Sequence, residues 1–376
     1  MNLFFIRYLN RMKNTLSLLL IFIVTSCFSQ IVIKGTVSEK NGALEGATVY
    51  LNNTMFGTTT DGKGNFELPV KKGIYELIVS YLGYKKIVYN LNTETYDQPL
   101  IFTLQEEENS LDEVIIKKTV YDQNWKNNLQ VFKKEFLGRS EFSQDCEILN
   151  EEVLFFDFDG LQNRFETFAR KPLKIKNNAL GYLITYELES FLRDKNYITY
   201  LGYSRYQPLK GGKRKHKRWF KNRLKTYKGS ANHFFKSLMN NELEKEGFVV
   251  EQFKRVYLKQ KEVNKNKSRK FRDSIYKSYL TTKDILTRKP LELILNFNDN
   301  LLVIYSKEKE EIGYRKTGLL RPQMSTIIPI KRPIKIDKNG VLDNPLDLYY
   351  EGYWAFERFA NTLPIDYVPN TESEKL

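Results

Sequence analysis

The chain has 376 residues, of which 41% are hydrophobic and 14% aromatic, so it can bury a substantial core, and two domains are expected. This composition excludes a chain dominated by disorder. The formal net charge is +15 and is unevenly distributed: residues 30–110 carry 7 Lys/Arg against 10 Asp/Glu, whereas residues 111–376 carry 50 against 35. The basic character therefore belongs to the second part of the chain.

The N-terminal residues have the pattern of an export signal. Arg7, Arg11 and Lys13 precede an apolar run at 16–24, which is too short for a comfortable transmembrane helix, and small residues follow. Two cleavage modes fit this pattern: type I cleavage after Ser29, with residues 1–29 as the signal peptide, or lipobox cleavage that leaves Cys27 lipidated. Both predict an exported protein of the periplasm or outer membrane, and the lipoprotein alternative adds membrane association.

Cysteine usage follows from the cleavage site. After type I cleavage, Cys146 is the single cysteine that remains, so no intramolecular disulfide can form even in an oxidising compartment. The apolar neighbours Ile148 and Leu149 predict that Cys146 is a buried small hydrophobe rather than a reactive thiol. Stability is therefore expected to come from packing.

Residues 30–105 show short β-rich runs separated by turn signals. The run at 31–37 is rich in β-branched residues, and Asn41-Gly42 is a dipeptide favoured in tight hairpins. Further runs follow at 47–51, 58–60, 66–68, 75–81, 86–89 and 98–104, with Asp61-Gly62 and Lys72-Gly73 between them. Seven short strands at this spacing predict a two-sheet sandwich.

Four segments of this region resemble the carboxypeptidase regulatory-like domain: Gly35-Thr36-Val37 and the stretches 44–49, 60–66 and 79–84. The resemblance implies a transthyretin-like β-sandwich, which occurs at the N-termini of many Gram-negative envelope proteins, including TonB-dependent transporters. Residues 106–120, which begin with three glutamates, are expected to be a linker. The roughly 260 residues after it are too few for both a plug and a large transporter barrel.

The family name does not predict a peptidase here. A zinc carboxypeptidase needs two imidazoles and a carboxylate around the metal, whereas the two histidines of this chain, His216 and His233, lie in no such pattern. Asp61 has too few neighbouring carboxylates for a calcium loop, so we interpret it as a turn residue. No metal or other cofactor is expected.

Residues 121–368 are predicted to form a larger α+β domain, followed by a tail at 369–376. Trp125, Leu129, Phe132 and Phe136 recur at helical spacing before Gly138, which predicts a helix with an inward aromatic stripe. Strands are expected at 152–159, 173–175, 183–188 and 197–201, the last ended by Gly202, and a hairpin at 291–305. A helix is expected from Ser230 to about Gly247, and an exposed basic stretch at 259–270. The predicted fold class is mainly β with some α.

The segment from Arg205 to Lys228 has the most distinctive composition, with eleven Lys/Arg, no acidic residue, and Trp219, Phe220 and Tyr227 interleaved among the cations. In a cytoplasmic protein this mixture would suggest nucleic acid. Export favours an envelope protein or an anionic lipid or glycan as partner, with no nucleic acid expected. A solvated basic hairpin or helix with its aromatics packed inward is the alternative. The candidate binding residues are Lys213, Arg214, Lys215, Lys217, Arg218 and Trp219.

Several other polar residues are candidate sites. Asp157 and Asp159 share one side of a predicted strand, as paired acids or cation ligands would, although a solvated strand face explains them as well. His233 is interpreted as a packing or hydrogen-bonding residue. At the C-terminal end, Glu351, Glu357, Arg358 and Asp366 form either a polar site or an ion pair that anchors an aromatic helix. The stretches 136–140, 178–182, 227–230, 349–358 and 360–367 resemble an uncharacterised region that follows the regulatory-like domain in some exported envelope proteins.

Three functions remain open from the sequence. The first is an exported, non-enzymatic envelope protein that binds a protein partner or an anionic envelope component. The second is a carboxylate-dependent glycan-active hydrolase that uses acids such as Asp157, Asp159 or Glu357, because glycosidases need only two acids at a suitable separation. The third is an accessory subunit of a TonB-dependent transporter.

Overall fold

A computed structural model describes residues 31–107, 120–195, 197–258, 271–290, 292–315 and 321–369. The protein is mainly β with some α, as predicted, and its N-terminal sheets are followed by an α+β region. The predicted export signal, Cys27 and the basic stretch at 259–270 lie outside the described residues.

Two four-stranded sheets enclose the N-terminal core. One contains β1 (Ile31–Glu39), β2 (Gly42–Ala43), β5 (Asn65–Val70) and β8 (Leu100–Thr103), and the other contains β3 (Thr48–Leu51), β4 (Gly57–Thr59), β6 (Ile74–Ser80) and β7 (Ile87–Asn92). Along β5, Phe66, Leu68 and Val70 are buried and the residues between them are exposed, as strand alternation requires. We predicted seven strands; the eighth is β2, which pairs with the end of β1 at the Asn41-Gly42 turn.

The turn before β5 is held by a single carboxylate. Asp61 Oδ1 accepts hydrogen bonds from the backbone N–H groups of Lys63 at 2.9 Å and Asn65 at 2.8 Å. Gly64 has a φ of 73°, which is costly for residues with a side chain. Asp61 is therefore the turn residue that the sequence predicted.

Residues 123–208 form a six-stranded antiparallel sheet covered by one helix. The helix, α1 (Gln123–Leu137), is capped by Asp122 and ends at Gly138, whose φ is 97°. The strands are β9 (Cys146–Ile148), β10 (Leu154–Asp159), β11 (Arg164–Ala169), β12 (Leu173–Asn177), β13 (Tyr182–Asp194) and β14 (Tyr197–Pro208), with 3₁₀ helices at Glu141–Asp145 and Glu151–Val153. The buried rings of Phe132 and Phe136 pack against this sheet, which confirms the predicted aromatic stripe.

The remaining residues build a second layer with its own core. They form α2 (Lys213–Tyr227), α3 (Ala231–Asn240), α4 (Leu243–Glu246), α5 (Thr282–Ile285) and α6 (Tyr353–Glu357), with 3₁₀ helices at Pro345–Asp347 and Phe359–Asn361. A five-stranded sheet contains β15 (Phe248–Tyr257), β16 (Phe271–Lys277), β19 (Asn300–Lys309), β20 (Pro322–Pro329) and β22 (Leu348–Gly352). A three-stranded sheet contains β17 (Leu286–Arg288), β18 (Leu293–Leu295) and β21 (Ile334–Ile336). Phe234, Leu238 and Trp354 belong to the buried cluster of this layer.

Three predicted boundaries are wrong. The hairpin at 291–305 does not form, because β18 and β19 belong to different sheets. Gly202 does not end β14; it lies at a bulge, where a Cβ would come within 2.3 Å of the Glu187 carbonyl oxygen. The helix expected to reach Gly247 breaks at Asn241, whose φ of 59° is left-handed.

The sandwich lies against the first sheet of the C-terminal region. The backbone N–H of Asn53 donates to the Ser204 carbonyl at 2.8 Å, and the N–H of Tyr206 donates to the Thr54 carbonyl at 2.9 Å. Ile365 N–H donates to the Asn53 carbonyl at 2.8 Å. The turn at 52–54 therefore adds backbone hydrogen bonds to β14, which pairs with β13 in the sheet.

Candidate functional site

The basic segment predicted from the sequence is a helix, α2, held by a loop that precedes β13. Trp219 Nε1 donates to the Asn178 carbonyl at 3.0 Å, and Asn222 Nδ2 donates to the Ala179 carbonyl at 2.8 Å. Arg223 Nε donates to the Leu180 carbonyl at 2.7 Å. These bonds satisfy carbonyl groups that the loop itself leaves without partners, and they fix the helix on the sheet.

Trp219 packs inward. It is 3% exposed, and a Cβ on Gly181 would lie within 2.3 Å of its indole ring. The Arg218 guanidinium donates to the Asn178 carbonyl at 3.0 Å. Tyr227 is also buried, so two aromatics of the segment face the core, as the inward-packing alternative predicted. We therefore assign Trp219 to the packing beneath the helix and Arg218 to its attachment.

The four remaining candidates, Lys213, Arg214, Lys215 and Lys217, are exposed, and so is Lys221, which was not a candidate; these five residues are here called the basic helix surface. Within the described parts of the chain, no acidic residue forms an ion pair with any of the five. Lys213, Lys217 and Lys221 follow at i, i+4 spacing, where like charges destabilise a helix by a few tenths of a kcal/mol per pair. The first turn has no acidic residue and no side-chain cap, although three cations lie next to the positive end of the helix dipole.

A cavity of about 220 Å³ lies between the two cores of the C-terminal region. The first core contributes Tyr200 and Leu363, and the second contributes Tyr350 and Trp354. Thr226, at the end of α2, lines the same cavity and is 2% exposed. The polar lining therefore comes from elements that are far apart in the sequence.

Glu357 and Arg358 both line the cavity but have different surroundings. Burial, and then the negative charge of Glu311, raise the pKa of Glu357 to about 8, and Asn361 Nδ2 donates to Glu357 Oε1 at 3.1 Å. Arg358 Nη1 donates to Glu135 Oε2 on α1 at 2.6 Å. Burial opposes it, but hydrogen bonds from Arg358 and Arg139 hold the pKa of Glu135 below its usual range. The Arg358 charge is therefore neutralised by Glu135 on α1, which was not among the four residues expected to form the anchoring ion pair.

The other acidic candidates are not brought together. Asp159 Oδ1 accepts from the N–H groups of Leu161 and Gln162 in the turn after β10. Neither Asp157 nor Asp159 lines this cavity. Glu351 pairs with Arg255 at 2.9 Å, and Asp366 Oδ1 accepts from the N–H of Met55 at 3.3 Å.

The side chains of the two histidines and Cys146 pack against neighbouring residues. His233 is 4% exposed, its Nδ1 accepts from the N–H of Gly229 at 3.1 Å, and burial lowers its pKa. His216 packs edge-on against Trp219. Burial raises the pKa of the Cys146 thiol to about 12, so it stays protonated at neutral pH. The role of His233 agrees with its sequence interpretation, whereas Cys146, expected to be buried, is only partly buried against the first core of the C-terminal region.

The N-terminal part of the chain is similar to a known domain family. Residues 33–116 match the family model of the CarboxypepD_reg-like domain. This match confirms the predicted carboxypeptidase regulatory-like domain. No curated protein matches the chain. Across the described segments there is also no helix long and apolar enough to cross a membrane, and no group of three or more His, Cys, Asp or Glu arranged to hold a metal ion.

The carboxypeptidase regulatory-like domain carries an open groove of about 670 Å³. Its lining includes Lys34, Asp61, Glu67 and the exposed side chain of Ile101 on β8. Lys34 Nζ pairs with Glu67 at 2.6 Å, and Asp61 is occupied by its turn, so the charged groups of the groove already have partners. The groove therefore offers fewer free charges than the basic helix surface.

Proposed function

We propose that the protein is an exported, non-enzymatic envelope protein that binds phosphate-bearing lipid headgroups through the basic helix surface. The observation that carries the proposal is a set of five exposed cations without ion-pair partners in the described chain, on a helix whose opposite side is fixed by Trp219 and Arg223. Export is supported by the N-terminal sequence pattern. The regulatory-like domain is consistent with an envelope protein.

In the free protein, the cations of the basic helix surface destabilise α2. Like charges at i, i+4 repel, and cations at a helix N-terminus oppose the dipole. A phosphate group near Lys213, Arg214 and Lys217 would remove both penalties, because it supplies the missing negative charge. Such binding weakens as salt rises, since screening shortens the range of the attraction to about 10 Å at 0.1 M.

The test is cosedimentation of the full chain with vesicles that contain phosphatidylglycerol, and with neutral phosphatidylcholine vesicles. Wild-type protein is expected to bind the anionic vesicles at low salt and to lose that binding as salt increases. The variant Lys213→Glu/Arg214→Glu/Lys217→Glu is expected to bind at least tenfold more weakly, from about 1 kcal/mol per cation near an anionic surface.

The matched control is Lys40→Glu/Lys63→Glu/Lys85→Glu, which makes the same net charge change on exposed residues of the sandwich. It is expected to keep most of the binding. Equal losses in the two triple variants would show that net charge alone drives binding and would refute a site on α2. Equal binding to anionic and neutral vesicles would refute the headgroup as ligand.

Hydrolysis is the second candidate, because Glu357 lines a cavity with a pKa raised to about 8, as in general acids. A glycosidase needs two carboxyl groups on either side of the bond that breaks. Of the described residues that line this cavity, Glu357 is the single carboxylic acid. We therefore propose binding rather than hydrolysis.

A further inference from the structure

The cavity between the two cores has a polar lining, and part of its hydrogen-bonding capacity is not used among the described residues. Thr226 Oγ1 is buried and has no hydrogen-bond partner among the described residues. The hydroxyl groups of Tyr200 and Tyr350 also form no hydrogen bond with any described residue. A buried hydroxyl without a partner costs about 1–3 kcal/mol, so the Thr226 hydroxyl, next to two more accessible tyrosine hydroxyls on the same cavity, points to a bound polar molecule.

The aromatic walls restrict what that molecule can be. Tyr350 and Trp354 meet edge to face, with ring centroids 5.5 Å apart, and Tyr200 lines the cavity from the other core. The amide of Asn232 also lines the cavity and has no hydrogen-bond partner in the described chain. The lining thus combines apolar ring surface with hydroxyl and amide groups that both donate and accept.

The charged residues of the lining restrict the class of ligand further. Arg358 is occupied by Glu135, which leaves Glu357 as the one carboxylic acid on the described wall. No unpaired cation lines the cavity within that part of the chain, so an anionic ligand has no counter-charge there. The volume of about 220 Å³ is below the roughly 300–1,000 Å³ of pockets for drug-sized ligands, which limits the occupant to about one ring.

We propose that this cavity binds a single neutral sugar ring, whose hydroxyl groups bond to Thr226, Tyr200, Tyr350 and Asn232 and whose C–H faces pack on the aromatic rings. The proposal goes beyond the lipid-headgroup function, because it uses a different set of residues and an uncharged ligand. Free monosaccharides and the terminal residue of an envelope glycan share this chemistry.

The test uses the full chain and saturation-transfer NMR with glucose, galactose, mannose and N-acetylglucosamine, each also as its methyl glycoside. At least one of these sugars is expected to bind. Binding retained by the methyl glycoside identifies the end of a glycan chain as the source, because the methyl group occupies the position of the next residue. Binding restricted to the free sugar identifies a monosaccharide.

Two variants locate the binding. Thr226→Val and Tyr350→Phe each remove one hydroxyl and are expected to weaken binding about fivefold to tenfold. Thr226→Val is also expected to raise the melting temperature of the free protein, because it removes a buried hydroxyl that has no partner. Tyr276→Phe is the matched control: the Tyr276 hydroxyl bonds to Asp299 at 2.6 Å and does not line the cavity.

The Lys213→Glu/Arg214→Glu/Lys217→Glu variant is expected to bind the sugar as wild type does, so failure of one proposal is distinguishable from failure of the other. If none of the eight compounds binds at millimolar concentration, the cavity holds water only and the proposal is overturned. It is also overturned if Thr226→Val and Tyr350→Phe bind as tightly as Tyr276→Phe.

Discussion

The hydroxyl of Tyr50 on β3 donates a hydrogen bond of 2.8 Å to the carboxylate of Glu187 on β13, across the boundary between the sandwich and the C-terminal region. Glu187 is 7% exposed and also pairs with Lys86 of the sandwich at 2.9 Å. Both partners of this buried carboxylate therefore come from the other side of the boundary. A carboxylate in such a place is costly without its partners, so the pairing favours one arrangement of the two parts.

Tyr50→Phe removes one of these partners and nothing else. The free energy of unfolding is expected to fall by about 1–3 kcal/mol, because Glu187 stays buried with Lys86 alone. Chemical denaturation measures the change. Tyr89→Phe is the control, since Tyr89 is exposed and its hydroxyl has no hydrogen bond to a described residue. Identical unfolding curves for the two variants would mean that the Tyr50 bond contributes nothing.

Glu135→Gln tests the anchor between α1 and the C-terminal segment. The substitution keeps the shape of the side chain but leaves the Arg358 guanidinium, which is 18% exposed, without a counter-charge. A loss of about 3 kcal/mol in unfolding free energy is expected, as for a broken buried pair. Glu67→Gln, which breaks the exposed pair with Lys34, is expected to have a much smaller effect. Similar losses in the two variants would contradict the proposed anchor.

The raised pKa of Glu357 predicts that the stability of the protein depends on pH. The pKa of Glu357 rises from an ordinary value of 4.5 to about 8 on folding, so between these values the folded protein holds a proton that the unfolded chain releases. Stability therefore falls as pH rises through this window, because deprotonation places a charge in a partly buried site. Glu357→Gln removes the titration. Its melting temperature is expected to exceed that of wild type at about pH 9 and to approach it at about pH 5. A difference that does not change with pH would contradict the raised pKa.

Gly181→Ala tests whether Trp219 holds α2. Gly181 has a φ of 73°, and an added Cβ would lie within 2.3 Å of the indole ring, so the variant is expected to lose both thermal stability and binding to anionic vesicles. Gly83→Ala separates strain from contact: its φ of 86° is similar, but nothing lies within 4 Å of the added atom. Equal effects in the two variants would attribute the loss to backbone strain alone.

The sequence predicted local features well and long-range ones poorly. The turn at Asp61 and the stop at Gly138 depend on neighbours within a few residues, so glycines and short polar side chains reveal them. The bulge at Gly202 depends on the opposite strand, and the separation of β18 from β19 depends on which sheets their partners join. Strand pairing depends on which side chains are buried together in the folded protein, and the residue pattern within one strand does not specify this.

The same limit applies to the candidate sites. The charge of the basic helix surface could be read from the sequence. The inward direction of Trp219 could not, because it depends on Gly181, which lies between β12 and β13, far from α2 in the chain. Nothing in the sequence distinguishes Thr226, because an isolated threonine at a helix end has no special pattern and its cavity is lined by residues that are far away in the chain. Arg358 was a candidate from the sequence, but its partner Glu135 was not, since 223 positions separate the two residues.

The contact between the turn at 52–54 and β14 has a consequence for any attempt to divide the protein. A fragment that starts after the regulatory-like domain would present the carbonyl group of Ser204 and the N–H group of Tyr206 to solvent, as an unpaired edge of the sheet. Such an edge is a template for strands from other molecules. We therefore expect a fragment without the regulatory-like domain to self-associate more readily than the full chain.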